Sequence, residues 1–454
     1  MSQSTTDQGN QPRIRPYVGR SRQFKRSKNG CLNCRHRKKK CGEEKPRCLS
    51  CRRNNLDCTW SVGQHETTAG TSPLLGATHY VTTTATMLPM PLKENAFLRE
   101  IIPIASVDDL VMNSVLAVSG AHMNFRNKSP RSIQDATLGH YSTLIRQLLV
   151  EVSELKTFRV NKLARLLLVL VMLCHFEAIA GSSEGAMFRH LYASREIIVE
   201  IQSRQPTEPL GPDATTHFGL GLELYAYLII ANCLTPYGLL QERMFSLDSF
   251  IISLNSLAIY STFGTMFAGL HDLFALIPQI SLLFSHRLME QESGSPGPTY
   301  ACVELHGKLQ RCLLDWKLCH KDPGSPSSSD SREDSLSQVS KILKLGIEIY
   351  LIAAMEGSSI LNPKIVCQFQ SHIDAIHDIG LDLDCSQWSA TLLWPIVITG
   401  SCTIQKQQQE RISKTLRETI ELLKRLWDNP EPLVYGPYGL YLTISQHDAT
   451  FSIL

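Results

Sequence analysis

Six cysteines within 28 residues constrain the fold of this 454-residue chain more than any other feature. They follow the spacing C-x2-C-x6-C twice, with an offset of 17 residues between the two copies. These residues are Cys31, Cys34, Cys41, Cys48, Cys51 and Cys58. The segment holds few large apolar side chains, so a hydrophobic core cannot hold it together and another kind of cross-link is needed.

Metal coordination is the cross-link that this spacing favours. Two cysteines three residues apart at the start of a helical turn can bind one ion together, and tetrahedral zinc takes four thiolates at about 2.3 Å. Six thiolates are too many for one site and too few for two separate sites, unless two of them bridge both ions. The repeat makes the bridging pair equivalent. We therefore expect Cys31 and Cys48, the first cysteine of each copy, to bridge two Zn²⁺ ions.

Two other interpretations of the six cysteines remain open at this point. A knot of three disulfides needs an oxidising compartment, whereas the N-terminal stretch MSQSTTDQGN is polar and has no secretory signal. A single zinc ion would leave the remaining cysteines as spectators. The duplicated spacing favours the binuclear arrangement over both.

The net charge of +3 hides two parts of opposite sign. Residues 1–60 carry 16 Lys and Arg against four acidic residues, a net charge of +12, and the rest of the chain carries −9. Such asymmetry is expected when the basic part alone meets a polyanion. Between Cys34 and Cys41, five cations occupy about 1.5 turns of a predicted helix, so some can enter a major groove while others meet phosphates. The predicted DNA-binding residues are Arg35, Arg37, Lys38, Lys39, Lys40, Arg52 and Arg53.

A helical pattern begins near residue 93. Ile412, Leu416, Ile420, Leu423 and Trp427 recur at the spacing of one helix face, and alternating strand patterns are scarce. Ser106 with Asp109 predicts a capping box, and Asp322 to Ser337 predicts a solvated loop. The predicted fold class is a small zinc-organised module plus a large all-α domain. The predicted segments are a disordered basic arm (1–30), the zinc module (31–58), a flexible Thr-rich linker (59–92), the helical domain (93–430) and a C-terminal tail whose packing is undefined (431–454).

Catalysis is not indicated by any motif in the chain. There is no Gly-rich phosphate loop, no G-x-S-x-G and no H-E-x-x-H, so an enzyme is not expected. His140, His175 and His190 are interpreted as satisfied core or helix-end groups, and Trp394-Pro395 as a buried anchor with a helix kink. No uninterrupted apolar run approaches the ~18 residues of a membrane helix, so no membrane partner is expected. The alternative function is a small-molecule receptor or scaffold whose basic zinc head mainly localises it.

The segment CLNCRHRKKKCGEEKPRCLSCRRNNLDCTW resembles the fungal Zn(II)2Cys6 binuclear-cluster DNA-binding domain. The resemblance implies two short helices, each followed by an extended strand, around two zinc ions bridged by the first and fourth cysteines. One zinc would then take Cys31, Cys34, Cys41 and Cys48, and the other Cys31, Cys48, Cys51 and Cys58. It also implies that Arg37 and Lys38 contact a CGG triplet and that Pro46, often cis in the family, turns the chain between the halves. For Arg52 and Arg53 we expect phosphate contacts.

Stretches at 139–142, 170–198 and 392–402 resemble the fungal-specific transcription factor region of the second type. This second resemblance implies that the all-helical domain at 93–430 is regulatory. Together the two resemblances imply a nuclear regulator of RNA polymerase II transcription, acting on a metabolic or secondary-metabolite gene set. The expected partners are double-stranded DNA with CGG-type half-sites and the transcription machinery or co-regulators. Most relatives dimerise through a coiled coil after the cluster, and residues 59–92 lack heptads. A monomer on one triplet and a homodimer through the helical body both remain open.

Overall fold

The computed structural model describes residues 31–42, 48–54, 56, 58, 73–87, 95–127, 129–153, 159–181, 186–236, 247–318, 330–358, 362–379, 385–415, 420–429 and 434–446. The chain divides into two compact units, residues 1–69 and residues 70–454. Across these described ranges, every regular element is helical. The predicted fold class, a small cysteine module plus a large all-α domain, is therefore confirmed.

The first unit contains helices α1 (Leu32–His36) and α2 (Leu49–Arg53). The second unit, called the body below, contains single turns of π-helix (Tyr80–Thr84, Phe97–Ile101) and 3₁₀ turns (Ala85–Met87, Leu254–Ile259). Its α-helices are α3 (Pro73–His79), α4 (Ile102–Ala105), α5 (Asp109–Asn127), α6 (Arg131–Ser153), α7 (Val160–Ala180), α8 (Ala186–Arg204), α9 (Pro212–Ala231), α10 (Ser249–Ile252), α11 (His271–Phe274), α12 (Leu276–Glu292), α13 (Tyr300–Asp315), α14 (Asp330–Glu356), α15 (Pro363–Ile379), α16 (Cys385–Ser401), α17 (Lys406–Thr415), α18 (Ile420–Trp427) and α19 (Gly436–Gln446).

Helix α7 is the centre of the N-terminal half of the body. It packs against α5, α8 and α9, and it has the length and apolar composition of a membrane-spanning helix. Most of it is buried inside the body, as in the core helix of a globular domain. Arg165 interrupts its apolar sequence and forms ion pairs with Asp108, at 2.8 Å, and with Glu151. The pairing lets the helix continue through a charged residue at which the apolar run in the sequence ends.

Asp108 caps helix α5. Its Oδ1 atom accepts hydrogen bonds from the backbone N–H groups of Leu110 (3.0 Å) and Val111 (3.1 Å), two donors that the helix itself leaves unpaired. The capping box predicted for Ser106 is wrong. The Ser106 hydroxyl instead donates to the carbonyl oxygen of Pro103 at 2.6 Å, in the turn that ends α4.

The C-terminal half of the body is built around α14 and α16. Helix α14 packs against α12, α15 and α16, and α16 in turn packs against α18 and α19. Gly346 of α14 faces Pro395 of α16, and a Cβ atom at Gly346 would lie 2.7 Å from the Cβ of Pro395. Trp394 is buried, as predicted, and its Nε1 donates to the carbonyl oxygen of Cys233 at 3.0 Å. The side chain therefore ties α16 to the end of α9.

Part of the predicted linker belongs to the body. Residues 73–87 form α3, a π turn and a 3₁₀ turn, and the Ser119 hydroxyl of α5 donates to the carbonyl oxygen of Gly76 at 2.7 Å. Tyr80 is buried, with its hydroxyl 3.8 Å from the sulfur of Met172. These long-range contacts order a segment whose Thr-rich composition predicts a loop. The predicted arm (1–30) and the remainder of the linker lie outside the described residues.

Two other predicted boundaries differ in the structure. Helix α14 begins at Asp330, inside the predicted solvated loop. Of the helix predicted from Ile412 to Trp427, the structure describes the parts in α17 and α18, and Leu416 lies outside the described residues. The C-terminal segment forms α19, which packs against α16 and α18, and the Tyr435 hydroxyl before it donates to the carbonyl oxygen of Cys402 at 2.5 Å.

A buried carboxylate on α9 holds the turn that follows the 3₁₀ segment. Glu223 has no exposed surface, and its Oε1 accepts a hydrogen bond from the N–H of Met266 at 2.7 Å. Its Oε2 has no partner among the described atoms. The turn needs such an anchor because Ala268 takes a left-handed φ of +51°, a conformation that costs a non-glycine residue energy. Burial raises the pKa of Glu223 to about 7, although backbone N–H groups of the turn oppose the rise.

We expect Glu223→Gln to change the pH dependence of stability. The pKa of Glu223 is higher in the folded chain than its ordinary 4.5, so its stabilising contribution is full below pH ~4.5 and is lost as pH rises through about 7. Glutamine keeps the acceptor and never ionises. The variant should match the wild type at pH ~5 and exceed its free energy of unfolding by about 2–3 kcal/mol at pH ~8. Urea unfolding at both pH values measures this, and a difference that does not vary with pH would contradict it.

Candidate metal centre and nucleic-acid interface

The first half of the cysteine module is organised by sulfur atoms that accept backbone hydrogen bonds. Cys31 precedes α1, and its Sγ accepts from the N–H of Cys34 at 3.4 Å, in the place where a helix cap normally offers oxygen. The N–H of Cys31 donates in turn to the Sγ of Cys41 at 3.4 Å. All three thiols are buried.

The second half repeats these contacts with the sequence offset of 17 residues. The N–H of Cys51 donates to the Sγ of Cys48 at 3.4 Å, and the N–H of Cys48 donates to the Sγ of Cys58 at 3.2 Å. Each helix is closed in the same way, because Lys39 N–H bonds the carbonyl oxygen of Cys34 and Leu56 N–H bonds that of Cys51, both at 3.0 Å. The duplicated spacing in the sequence is therefore a duplicated structure.

The sulfur atoms form two overlapping groups of four, each with all members within 4.8 Å of one another. The groups are Cys31, Cys34, Cys41, Cys48 and Cys31, Cys48, Cys51, Cys58. The Sγ atoms of Cys31 and Cys48 are 3.7 Å apart, and those of Cys34 and Cys48 are also 3.7 Å apart. A tetrahedron with metal–sulfur bonds of about 2.3 Å has edges of roughly 3.8 Å, whereas a disulfide joins sulfurs at about 2.05 Å. The donor set fits zinc, and all six cysteines are free thiols.

The surroundings of the thiols shift their pKa values in different directions. Burial and, to a smaller extent, the hydrogen bond with Cys31 raise the pKa of Cys34 to about 12. Burial also opposes ionisation of Cys48, but donation from the N–H of Cys51 and from neighbouring thiols outweighs it and lowers the pKa of Cys48 to about 6. Zinc binding must therefore displace protons from some of these sulfurs, so metal affinity depends on pH.

Helix α1 ends earlier than predicted, so most of the basic residues after Cys34 lie outside it. Helix α1 ends at His36, so the five cations do not wind around 1.5 helical turns. Lys38 takes a left-handed φ of +53°, and with the Lys39–Cys34 hydrogen bond it forms the turn that commonly ends a helix. This turn directs the chain back so that Cys41 reaches the other sulfurs. The side chains of Arg37, Lys38, Lys39 and Lys40 are all exposed.

The structure describes the side chains of only some of the other predicted DNA-binding residues. Arg52 and Arg53 are exposed and lie in the last turn of α2. Arg35 belongs to α1, but its side chain lies outside the described residues, as does Pro46 with the predicted turn between the halves. The exposed cations next to both helix ends form the candidate nucleic-acid interface.

The three histidines singled out from the sequence all lie on helices of the body. His140 Nδ1 lies 2.9 Å from Asn113 Oδ1, and His175 Nδ1 lies 2.7 Å from the carbonyl oxygen of Val171. His190 lies 3.7 Å from the buried carboxylate of Glu177. His140 and His175 agree with the interpretation of satisfied core or helix-end groups, whereas the buried Nε2 of His190 has no hydrogen-bond partner among the described atoms, so His190 does not. Among the described cysteines of the body, Cys174, Cys302 and Cys402 are buried, whereas Cys312 and Cys367 are exposed.

Sequence reasoning missed Glu223 as a buried ionisable group. It is the lone charged residue within a long apolar stretch of α9, and that pattern was the available signal. Lys38 was predicted as a contact residue, but its left-handed backbone was not, because glycine is the usual residue in that conformation.

Comparisons with known proteins agree with this geometry. The family model described as the fungal Zn(2)-Cys(6) binuclear cluster domain matches residues 29–66. The zinc cluster transcription factor CZF1 of Candida albicans is 61% identical over 36 residues, which are 8% of this chain and 9% of that protein. Transcription factor lfc1 of Flammulina velutipes is 51% identical over 37 residues, 8% of this chain and 13% of that protein.

The transcriptional regulatory protein UME6 of Saccharomyces cerevisiae is 58% identical over 37 residues, 8% of this chain and 4% of that protein. The chain thus covers only a small part of these relatives. No solved structure matches it. The matched families and relatives are transcription factors and not enzymes. The body matches the family model of the fungal specific transcription factor domain over residues 74–429. This match covers more than half of the chain, which therefore belongs to the family of fungal-specific transcription factors with a zinc-binding Zn(2)-Cys(6) cluster domain.

Proposed function

We propose that this chain is a nuclear, sequence-specific DNA-binding regulator of RNA polymerase II transcription. Two Zn²⁺ ions would organise its cysteine module, one on each group of four sulfurs, with Cys31 and Cys48 shared by both. The module would contact CGG-type triplets in double-stranded DNA. The helical body would regulate its output through the transcription machinery or co-regulators, acting on a metabolic or secondary-metabolite gene set.

One observation carries the proposal: the two halves of the cysteine module have the same backbone hydrogen bonds, but only the first half is strongly basic. The N–H···S contacts and helix closures of the first half recur in the second. The six residues between the second and third cysteines are Arg-His-Arg-Lys-Lys-Lys in the first half and Arg-Arg-Asn-Asn-Leu-Asp in the second. Folding therefore does not require the five cations of the first half. Binding of a polyanionic ligand does require such cations, because neutralising its phosphates releases counterions and drives binding.

Lys38 is the best candidate for a base contact. Position 38 has a left-handed backbone and is occupied by lysine, although glycine would be less strained there by roughly 1–2 kcal/mol. It also lies just past the C-terminal end of α1, where the helix dipole favours a cation. An exposed ammonium group can donate to the O6 and N7 acceptors that guanine presents in the major groove. Arg37 precedes it, and both are proposed to contact the triplet.

The remaining cations are proposed to position the module on the phosphate backbone. Arg35, Lys39 and Lys40 neighbour the base-contact pair in the sequence, and Arg52 and Arg53 end α2. Two zinc ions and six thiolates carry a formal charge of −2, which these cations partly neutralise. The body carries a net negative charge, so its repulsion from DNA helps to confine contact to the module.

The test is Lys38→Gly, which removes the ammonium group and keeps the left-handed backbone unstrained. We expect a loss of about 1–3 kcal/mol in binding free energy at the cognate triplet, with little loss on unrelated DNA. Fluorescence anisotropy with both duplexes at fixed salt measures the two affinities.

Arg53→Ala is the matched control, since a phosphate contact should weaken binding to every sequence about equally and lower the salt dependence. Equal losses on both duplexes for Lys38→Gly would show that Lys38 contacts phosphate and would contradict its proposed role. Mapping bound sites across the genome, with expression measured after deletion, tests the proposed gene set.

A further inference from the structure

One face of helix α6 is exposed although much of it is apolar. Leu138, Leu149 and Val150 are 57%, 66% and 64% exposed, and Val152 at the edge of this face is also exposed. The opposite face holds buried Leu144 and packs against α5. Clustered exposure of large apolar side chains on one element is a feature of interaction surfaces rather than of solvated ones.

The side chains in the middle of this face are small. Gly139 and Ser142 lie between the apolar ends, and a Cβ atom at Gly139 would meet nothing within 4 Å. Glycine inside a helix is destabilising by about 1 kcal/mol relative to alanine, and no neighbour among the described residues needs the space. A second helix could approach its backbone closely at this point.

Three charged residues on the same face have no ion-pair partner among the described residues: Arg131, Asp135 and Arg146. Asp135 and Arg146 are separated by 11 residues, about 16.5 Å along the helix, with Gly139 and Ser142 between them. If two α6 helices cross antiparallel about a twofold axis near Gly139 and Ser142, Asp135 of each copy lies opposite Arg146 of the other. In the same arrangement, Leu149 of each copy covers the first turn of the other α6. The Asp135–Arg146 pair is therefore self-complementary about this axis, whereas Arg131 lies at the end of the face, in the turn that Leu149 of the other copy covers.

We propose that α6 is the surface through which two copies of this chain pair, antiparallel, about that twofold axis. Helix α6 is about 34 Å long and 10 Å wide, so the face can bury only roughly 300–400 Å² per chain. A stable complex buries about 800 Å² per partner, so the pairing is weak in solution. It becomes strong when both chains are held on one DNA molecule, because their effective concentration rises.

The test uses sedimentation velocity on the full chain with zinc, from about 1 to about 100 μM, where a weak dimer populates measurably. We expect concentration-dependent dimerisation of the wild type and at least a tenfold weaker association for Leu149→Glu. Leu314→Glu, on α13, is the matched control, because Leu314 is also 66% exposed and lies outside the proposed surface. A monomer at every concentration would overturn the proposal, as would equal effects of the two variants.

Charge reversal distinguishes the antiparallel pairing of two α6 helices from any other contact made by this face. Asp135→Arg or Arg146→Asp alone should weaken association, since each places like charges opposite one another. The double variant restores both pairs in the twofold arrangement and should regain most of the wild-type association. Failure of the double variant to do so would overturn the antiparallel pairing. Circular dichroism of each variant confirms that the fold is kept.

Discussion

Replacing Cys31 by serine is expected to remove both zinc ions from the chain and to abolish specific DNA binding. The Sγ of Cys31 belongs to both groups of four sulfurs, so its loss leaves neither with a full ligand set. Structural zinc contributes on the order of 10–16 kcal/mol to the folding of small metal domains. Cys34 belongs to only one group, so Cys34→Ser is expected to keep the second ion.

Metal analysis by mass spectrometry of the purified variants measures this difference. The wild type should contain two zinc ions per chain, and Cys48→Ser should behave like Cys31→Ser because the two residues are equivalent by the repeat. Cys312→Ser is the control, since that thiol is exposed on α13. A wild-type content of one zinc per chain would contradict the bridged cluster.

The second large effect is expected from Trp394→Ala in the body. The side chain is buried, its ring meets that of Tyr350 edge to face at 5.4 Å, and its Nε1 bonds the carbonyl oxygen of Cys233. Truncating a buried tryptophan to alanine costs about 3–5 kcal/mol through lost burial and the cavity left behind. Urea unfolding followed by circular dichroism should show this as a lower midpoint with a similar slope.

Trp394→Phe separates the two contributions. Phenylalanine keeps much of the ring packing and loses the Nε1 hydrogen bond, which leaves the Cys233 carbonyl unpaired at a cost of about 1–3 kcal/mol. Leu314→Ala on exposed α13 is the control and should change stability by no more than about 0.5 kcal/mol. Equal losses for the alanine and phenylalanine variants would show that the hydrogen bond, and not the packing, carries the stability.

The cysteine module was predictable because its information is local. Spacing alone places Cys31 and Cys34 at one helical turn, and the repeat assigns the shared pair. The end of α1 was not predictable, because Lys38 occupies a left-handed position that sequence patterns reserve for glycine. Ser106 and Asp108 are both good capping residues, and only the hydrogen bonds of Asp108 decide between them.

Long-range contacts explain the remaining differences in the body. Residues 73–87 have the composition of a linker, and their order depends on partners such as Ser119 and Met172, which are distant in the sequence. Glu223 looks unfavourable in an apolar helix until the turn near Met266 supplies its hydrogen bonds. Local propensity cannot contain such partners, whereas helical periodicity correctly indicated an all-α body.

The duplicated scaffold of the cysteine module has a consequence for how its specificity can evolve. Each half is held by its own sulfur-centred hydrogen bonds, so residues 35–40 and residues 52–57 are attached to equivalent supports. In the proposed mode of binding, substitutions among residues 54–57 would leave Arg37 and Lys38 of the first half unchanged. A lineage could therefore accumulate cations at 54–57 until the second half recognised a sequence of its own, while the proposed base contacts of the first half persisted.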